Sequence, residues 1–155
     1  MIRFYTLRSE QWVPRSVEEV FAFFSDAHNL EQLTPPWLRF RILTPAGERI
    51  HKGSEIRYTL RVRGLPVFWT TEIRSWDPPF RFTDVQRKGP YRLWHHTHRF
   101  EAKDGGTRMT DVVRYRLPLG VLGAIAHRFF VKKDVEKIFD YRREKIEGLF
   151  GRPLS

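Results

Sequence analysis

The sequence predicts an α+β fold: a curved, seven-stranded antiparallel sheet wrapped around a long C-terminal helix, with two short helices between strands 1 and 2. Three observations carry this prediction. Six segments of strand character follow one another between Leu38 and Leu117, separated by short turns rich in Gly, Pro and Asp. Loops that short join antiparallel neighbours, because parallel strands need long crossovers. The chain then switches from alternation to helical spacing and keeps it to Phe150. A long helix with one apolar stripe must lie on something, and the concave face of a twisted sheet is the available partner.

Each element has its own justification. Phe4–Val13 reads as the first strand. Ser16-Val-Glu-Glu19 is a capping box, with Ser16 as N-cap and Glu19 three residues on. Val17, Val20, Phe21 and Phe24 supply the apolar stripe of the helix that follows. Asp26 caps a second short helix through Leu33, and Thr34-Pro35-Pro36 ends it because proline cannot continue a helix. The remaining strands are Leu38–Leu43, Ser54–Val62, Val67–Trp76, Phe80–Arg87, Tyr91–Ala102 and Thr107–Leu117. Their turns fall at Pro45-Ala-Gly47, Gly64-Leu-Pro66, Asp77-Pro-Pro79, Lys88-Gly-Pro90 and Asp104-Gly-Gly106. Leu122, Ile125, Phe129, Val135, Ile138, Phe139, Ile146, Leu149 and Phe150 mark the stripe of a closing helix, Leu122–Phe150.

Composition bounds the function. The 155 residues suit one domain, 1–155, with a real core. Hydrophobic residues at 41% and aromatics at 15% speak for a folded chain. With no cysteine, disulfides and thiolate metal sites are excluded, and a reducing, cytoplasmic setting is expected. The first residues hold no continuous apolar stretch of the signal-peptide kind, and no apolar run reaches the ~20 residues of a membrane span. Net charge is +10, from 28 Lys+Arg against 18 Asp+Glu. That charge is dispersed: Arg57, Arg61 and Arg63 share one face of a strand, as do Arg114 and Arg116. These read as solvated outer faces. Nucleic acid is not the expected partner, since neither an RNA-binding aromatic signature nor zinc-finger spacing is present.

The chemistry concentrates in Arg92-Leu-Trp-His-His-Thr-His-Arg-Phe100. Alternation puts Trp94, His96, His98 and Phe100 on one face, and the large aromatics make that face the inward one. A two-residue turn at Asp104-Gly105 pairs Phe100 with Met109, His98 with Asp111, His96 with Val113 and Trp94 with Tyr115. The Asp77-Pro-Pro79 turn similarly pairs Ile73 with Phe82, Thr71 with Asp84 and Trp69 with Gln86. Polar groups among apolar walls describe a ligand cavity. The expected walls are Trp69, Phe82, Trp94, Phe100, Met109, Val113 and Tyr115, and the expected orienting groups are Thr71, Asp84, Gln86, His96, His98 and Asp111.

The chain resembles the START-like superfamily, also called SRPBCC or Bet v 1-like, of helix-grip ligand-binding proteins. More narrowly it is similar to bacterial SRPBCC proteins related to polyketide cyclase/dehydrase and lipid-transport domains. The resemblance rests on Val20-Phe-Ala-Phe-Phe-Ser-Asp-Ala-His-Asn-Leu30 with Leu33-Thr-Pro-Pro-Trp37, and on Trp69-Thr-Thr-Glu-Ile73 with Trp76-Asp-Pro-Pro-Phe80. Its most specific part is Phe82-x-Asp84-x-Gln86-x-x-Gly89-Pro-Tyr91-x-x-Trp94-x-His96-x-His98-x-Phe100. It continues through Gly106-Thr-Arg-Met-x-Asp111-x-Val113-x-Tyr115 and Leu117-Pro-Leu-Gly120. The resemblance implies the helix-grip fold and a cavity between sheet and helix. It leaves function open, because one such cavity can host carriers, sensors and cyclases.

Three classes of function follow. The first is binding or transport of a hydrophobic small molecule, such as a lipid, an isoprenoid or a polyketide-like compound. The second is a cyclase or dehydratase in which His98 and Asp111, an inward acid/base pair, are catalytic. The third is an interaction module: Arg128, Lys132, Lys133 and Lys137, beside Phe129 and Phe130, suit transient contact with an anionic membrane. No cofactor and no metal are expected, since an i, i+2 histidine pair is by itself a weak metal signature. Ser25, Ser54 and Ser75 sit in no nucleophile elbow, and His28, His51 and His127 read as surface or packing residues. Oligomeric state is not encoded in any of these patterns.

Overall fold

The computed structural model describes residues 3–45 and 49–151. Part of the turn read at Pro45-Ala-Gly47 lies outside the described residues. Seven strands form one antiparallel sheet: β1 (Tyr5–Val13), β2 (Arg41–Ile42), β3 (Glu55–Val62), β4 (Leu65–Asp77), β5 (Arg81–Lys88), β6 (Leu93–Lys103) and β7 (Gly106–Arg116). Their order is β1-β7-β6-β5-β4-β3-β2, so every neighbour except β1–β7 is joined by a sequential hairpin. Between β1 and β2 lie α1 (Val17–Phe24) and α2 (Leu30–Leu33). The chain closes with α3 (Gly120–Ala126) and α4 (Lys132–Phe150), joined through a helical turn at His127–Val131.

Local chemistry explains these boundaries. Ser16 Oγ accepts the Glu19 N–H at 3.2 Å and so caps α1. The residues α1 buries are Val17, Val20, Phe21 and Phe24, one face of a helix. Asp26 caps a 3-10 turn, Ala27–Asn29, that leads into α2. The second strand is shorter than the sequence suggests. Pro36–Leu38 winds into a 3-10 turn and Arg39 takes a left-handed conformation, so pairing begins only at Arg41.

The β6–β7 register is the expected one: Phe100↔Met109, His98↔Asp111, His96↔Val113 and Trp94↔Tyr115. The β4–β5 register is not. The expected pairs Ile73–Phe82, Thr71–Asp84 and Trp69–Gln86 are replaced by Ile73↔Asp84 and Thr71↔Gln86. The loop between these strands closes across Asp77 and Arg81, and the ladder shifts again between Ile73 and Ser75. The displacement relative to the expected pairs is two residues, so Thr71, Ile73, Asp84 and Gln86 keep their common face.

The closing helix departs from a single regular rod. The Lys132 N–H bonds back to the His127 carbonyl, five residues earlier, which defines a π-type turn. The buried positions then run Gly123, His127, Val135, Phe139, Arg142, Ile146 and Phe150. Leu122, Ile125 and Phe129, expected inward, are exposed, as is Leu149. Among the described residues, no helix is long and apolar enough to cross a membrane.

The core divides in two. One cluster gathers α1 residues with Ile73, Phe82, Phe100, Met109, Ile146 and Phe150. The other holds Val113, Tyr115, Val135 and Phe139. Helix α4 contributes to both, and Arg142 lies in its buried stripe between Phe139 and Ile146.

Candidate functional site

A cavity of about 1050 Å³ opens between the sheet and α4. Alternation on β3 turns Ile56, Tyr58, Leu60 and Val62 toward it. Strand β4 adds Trp69, Thr71 and Ile73, β5 adds Phe82 and Asp84, and β6 adds Trp94, His96 and His98. Leu33, Trp37 and Phe40 approach from the α2 side, and Val135, Ile138, Phe139 and Arg142 from α4. Most of this wall is carbon. A largely buried polar cluster, Asp84, His96 and His98, sits where β5 and β6 meet Arg142, while Arg63, Asp134 and Lys137 line the cavity with more exposed side chains.

Two histidines there bridge two aspartates. His96 Nε2 is 2.8 Å from Asp111 Oδ1, and His98 Nε2 is 2.6 Å from Asp84 Oδ2. The expected His98–Asp111 pair is thus crossed. The two residues are opposite in register, but His98 bonds Asp84 while Asp111 bonds His96. His98 Nδ1 lies 3.2 Å from Asp111 Oδ1, outside hydrogen-bond geometry. His96 Nδ1 faces Asp84 Oδ2 at 3.8 Å, too far for a hydrogen bond. The two imidazoles stack at 3.6 Å between centroids, and His98 stacks on Phe82 at 4.0 Å. Arg142 approaches Asp111 Oδ1 at 3.4 Å while its guanidinium lies 5.1 Å from the Phe24 ring centroid.

Burial and charge set the protonation of this cluster. Burial pushes both carboxyls upward, but His96 and His98 outweigh it for Asp84, and Arg142 with both histidines outweighs it for Asp111. Asp84 therefore falls below the ordinary carboxylate value and Asp111 well below it. The histidines diverge. Burial, aided by His98, lowers His96, whereas the two aspartates overcome burial and raise His98. The two imidazoles are thus biased in opposite directions, His96 toward its neutral form and His98 toward its protonated one, a separation of the kind acid/base sites use.

The remaining expected site residues have other surroundings. Gln86 clamps the turn before β6: its Nε2 donates to the Tyr91 carbonyl at 2.7 Å and its Oε1 accepts the Tyr91 N–H at 3.0 Å. Phe100 and Met109 pack in the cluster beneath α1, and Val113 in the other cluster. The Tyr115 hydroxyl lies 2.8 Å from His127 Nε2, beside a separate cleft of about 500 Å³ between β1 and α4. Gln86, Phe100, Met109, Val113 and Tyr115 are not among the residues lining the large cavity, and Asp111 meets it only through the histidines and Arg142.

Sequence reasoning missed Arg142 and Tyr58. Arg142 falls at the spacing of the buried stripe, Phe139, Arg142, Ile146, which is the signal that marks it. Tyr58 sits at the middle of the inward alternation Ile56, Tyr58, Leu60, with its hydroxyl 3.2 Å from Thr71 Oγ1. Burial raises the Tyr58 hydroxyl far above the ordinary tyrosine range. Trp69 Nε1 and Arg142 Nε are buried without a hydrogen-bond partner among the described residues. Both side chains line the cavity.

Known proteins match this arrangement at the level of fold. Ms6760 from Mycobacterium smegmatis superposes with a TM-score of 0.67 at 20% identity, over 93% of this chain and 89% of that one. TTHA0849 from Thermus thermophilus gives 0.65 at 22% identity, over 94% and 99%. Major latex-like protein 151 from Panax ginseng gives 0.69 at 13% identity, over 95% and 97%. No functionally curated protein matches the chain significantly in sequence. Residues 13–140 match the family described as "Polyketide cyclase / dehydrase and lipid transport", and the chain, Bet v 1-like in its fold, belongs to that family within the SRPBCC superfamily.

Proposed function

We propose that this chain is a single cytoplasmic ligand-binding domain that carries or senses a hydrophobic small molecule, of lipid, isoprenoid or polyketide-like character. One observation carries the reading: a cavity of about 1050 Å³ with largely apolar walls holds a mostly buried polar cluster, Asp84, His96, His98 and Arg142, while the other charged residues that line it, Arg63, Asp134 and Lys137, are more exposed. Such a site holds an apolar body and orients one polar head. The unpartnered Trp69 and Arg142 donors suit a head that accepts hydrogen bonds. Native mass spectrometry of the chain purified from its own host, followed by denaturing extraction, tests this. A discrete bound lipid or polyketide-like mass is expected. An empty protein that also fails to bind a fluorescent apolar probe in the micromolar range would sink the proposal.

A cyclase- or dehydratase-type activity is the second reading, and the opposite pKa shifts of the adjacent, buried His96 and His98 favour it. His98→Ala and Asp111→Asn separate the two readings. Both variants abolish turnover of an extracted ligand in an enzyme, and both change only affinity in a carrier.

Delivery from an anionic membrane accounts for a further feature. Leu119, Val121, Leu122, Ile125, Phe129 and Phe130 are all exposed along α3 and the turn after it, among Arg128, Lys132 and Lys133. This patch adjoins the cavity through Arg63, which lines it, pairs with Asp134 at 2.9 Å and lies 4.7 Å from the Phe130 ring centroid. Flotation with anionic vesicles is expected to retain the wild-type chain and to lose the Phe129→Ser/Phe130→Ser variant. Equal retention of both would remove the membrane from the scheme.

A further inference from the structure

We infer that Asp84, His96 and His98 form a mononuclear site for a divalent transition-metal ion whose open positions face the cavity. One ligand atom from each of these residues lies within 4.8 Å of the others, and no other such trio occurs among the described residues. Donors about 2.0–2.2 Å from one tetrahedral ion stand roughly 3.3 Å apart, so His96 Nδ1, now 3.8 Å from Asp84 Oδ2, would close on it, and His98 Nε2, now at 2.6 Å, would open as the ion replaces the proton between them.

The roles of the ring nitrogens follow from their neighbours. Asp111 stands behind both imidazoles, 2.8 Å from His96 Nε2 and 3.2 Å from His98 Nδ1. The nitrogens left over, His96 Nδ1 and His98 Nε2, both face Asp84 Oδ2, at 3.8 and 2.6 Å. This approaches the carboxylate–histidine–metal relation: Asp111 hydrogen-bonds the outer nitrogen of His96 and so fixes that tautomer, its charge lies beside the outer nitrogen of His98, and the inner nitrogens face Asp84.

The two sides of the histidine pair are not equivalent. Arg142 lies closest to Asp111, 3.4 Å from its Oδ1, and opposes a cation most strongly there, although it also lines the cavity and bears on Asp84. Asp84, His96 and His98 line the cavity, whereas Asp111 does not. Two carboxylates also meet only one guanidinium, so the cluster is anionic until a proton or a metal ion joins the imidazoles. Two imidazoles and a carboxylate, with no thiolate, suit Zn²⁺ or Fe²⁺. Three protein ligands leave at least one position for a carbonyl, enolate or carboxylate oxygen of the cavity's ligand. The site thereby deepens the cavity reading but does not depend on it, since the ion alone can be measured.

The test uses the full-length, tag-free chain stripped of metal, titrated with Zn²⁺ by calorimetry and with Co²⁺ by proton NMR. One ion per chain is expected. Asp84→Asn should weaken it at least tenfold, and Asp111→Asn by about 10–100-fold through the lost outer hydrogen bond to His96 and the lost charge beside His98. His51→Ala, on the exposed surface, should leave binding unchanged. The Co²⁺ form should show two exchangeable, paramagnetically shifted imidazole N–H signals, one from each histidine. That readout needs no variant, so it decides the matter even where a substitution unfolds the chain. Absence of saturable binding up to about 100 μM Zn²⁺, or binding indifferent to Asp84→Asn in a folded variant, or no shifted imidazole signals, overturns the site. Each of these failures leaves the apolar-ligand reading standing, because an apolar probe reports on it separately.

Discussion

At the scale of single residues, Arg142 joins stability to function. It lies 8% exposed, against Asp111 and between the Phe24 and Phe139 rings. Removing one member of a buried ion pair leaves the other charge uncompensated, at a cost of about 3–5 kcal/mol. Asp111 keeps His96 and His98, so Arg142→Leu should destabilise by about 3 kcal/mol, the low end. Urea denaturation measures it, and adding Asp111→Asn should recover part of the loss. An additive double variant would show that the pair does not interact. His127 offers a pH test outside this cluster. Burial, with Lys132 nearby, lowers its pKa, and its ring stacks on Tyr5 at 3.4 Å. A histidine whose folded pKa is depressed adds stability while neutral. That contribution is complete above the ordinary value of about 6.5 and is lost as pH falls through the folded value. The thermal midpoint of the wild type should therefore drop further between about pH 7 and about pH 5 than that of His127→Gln. Parallel curves would refute the assignment. Inward histidines were legible in the sequence because alternation fixes the face of a strand residue. Their partners were not, since a side chain reaches diagonally to Asp84 or Asp111 as easily as straight across.

At the scale of elements, turn length decides what can be read. The two-residue turn at Asp104-Gly105 admits one register, and β6 and β7 adopt it. The longer turn at Pro78–Phe80 and the shift beyond it move β5 by two residues against the expected pairing. Face was legible there although register was not, because a two-residue slip preserves the pleat. The closing helix shows the complementary case. Its apolar residues follow helical spacing throughout, but the π-type turn at His127–Val131 resets the phase. Leu122, Ile125 and Phe129 are therefore turned outward while Val135 and Phe139 stay in. Nothing in the periodicity before the turn announces that change. Gly123 holds α3 in place: a Cβ there would meet the Pro118 carbonyl oxygen at 2.2 Å. Gly123→Ala must lift α3 from Leu117-Pro118, at a cost of about 1–3 kcal/mol. Hydrogen exchange should speed up across residues 120–131 while β6 and β7 keep their protection. Unchanged exchange in that stretch would mean that the helix absorbs the methyl group locally.

At the scale of the whole molecule, the sheet and α4 do not meet along their full length. Two packed clusters flank the cavity, and α4 spans both, with Val135 and Phe139 in one and Ile146 and Phe150 in the other. Protein interiors are close-packed, so a cavity of about 1050 Å³ represents contacts that the fold forgoes. A chain selected only for stability would fill it. The opposing demands of packing and binding separate in a single substitution. Leu60 lines the cavity from β3, is partly buried, and belongs to neither packed cluster. Leu60→Trp should insert its ring into free volume rather than into filled core. Unfolding in urea should then occur at the same or a higher midpoint, because new apolar contacts form without overpacking. Affinity for an apolar probe should fall at least tenfold, because the ring and the probe compete for one space. Loss of stability would show that the wall of β3 is already filled. Undiminished probe binding would show that apolar ligands sit elsewhere, in the cleft beside Tyr115 or on the exposed face of α3.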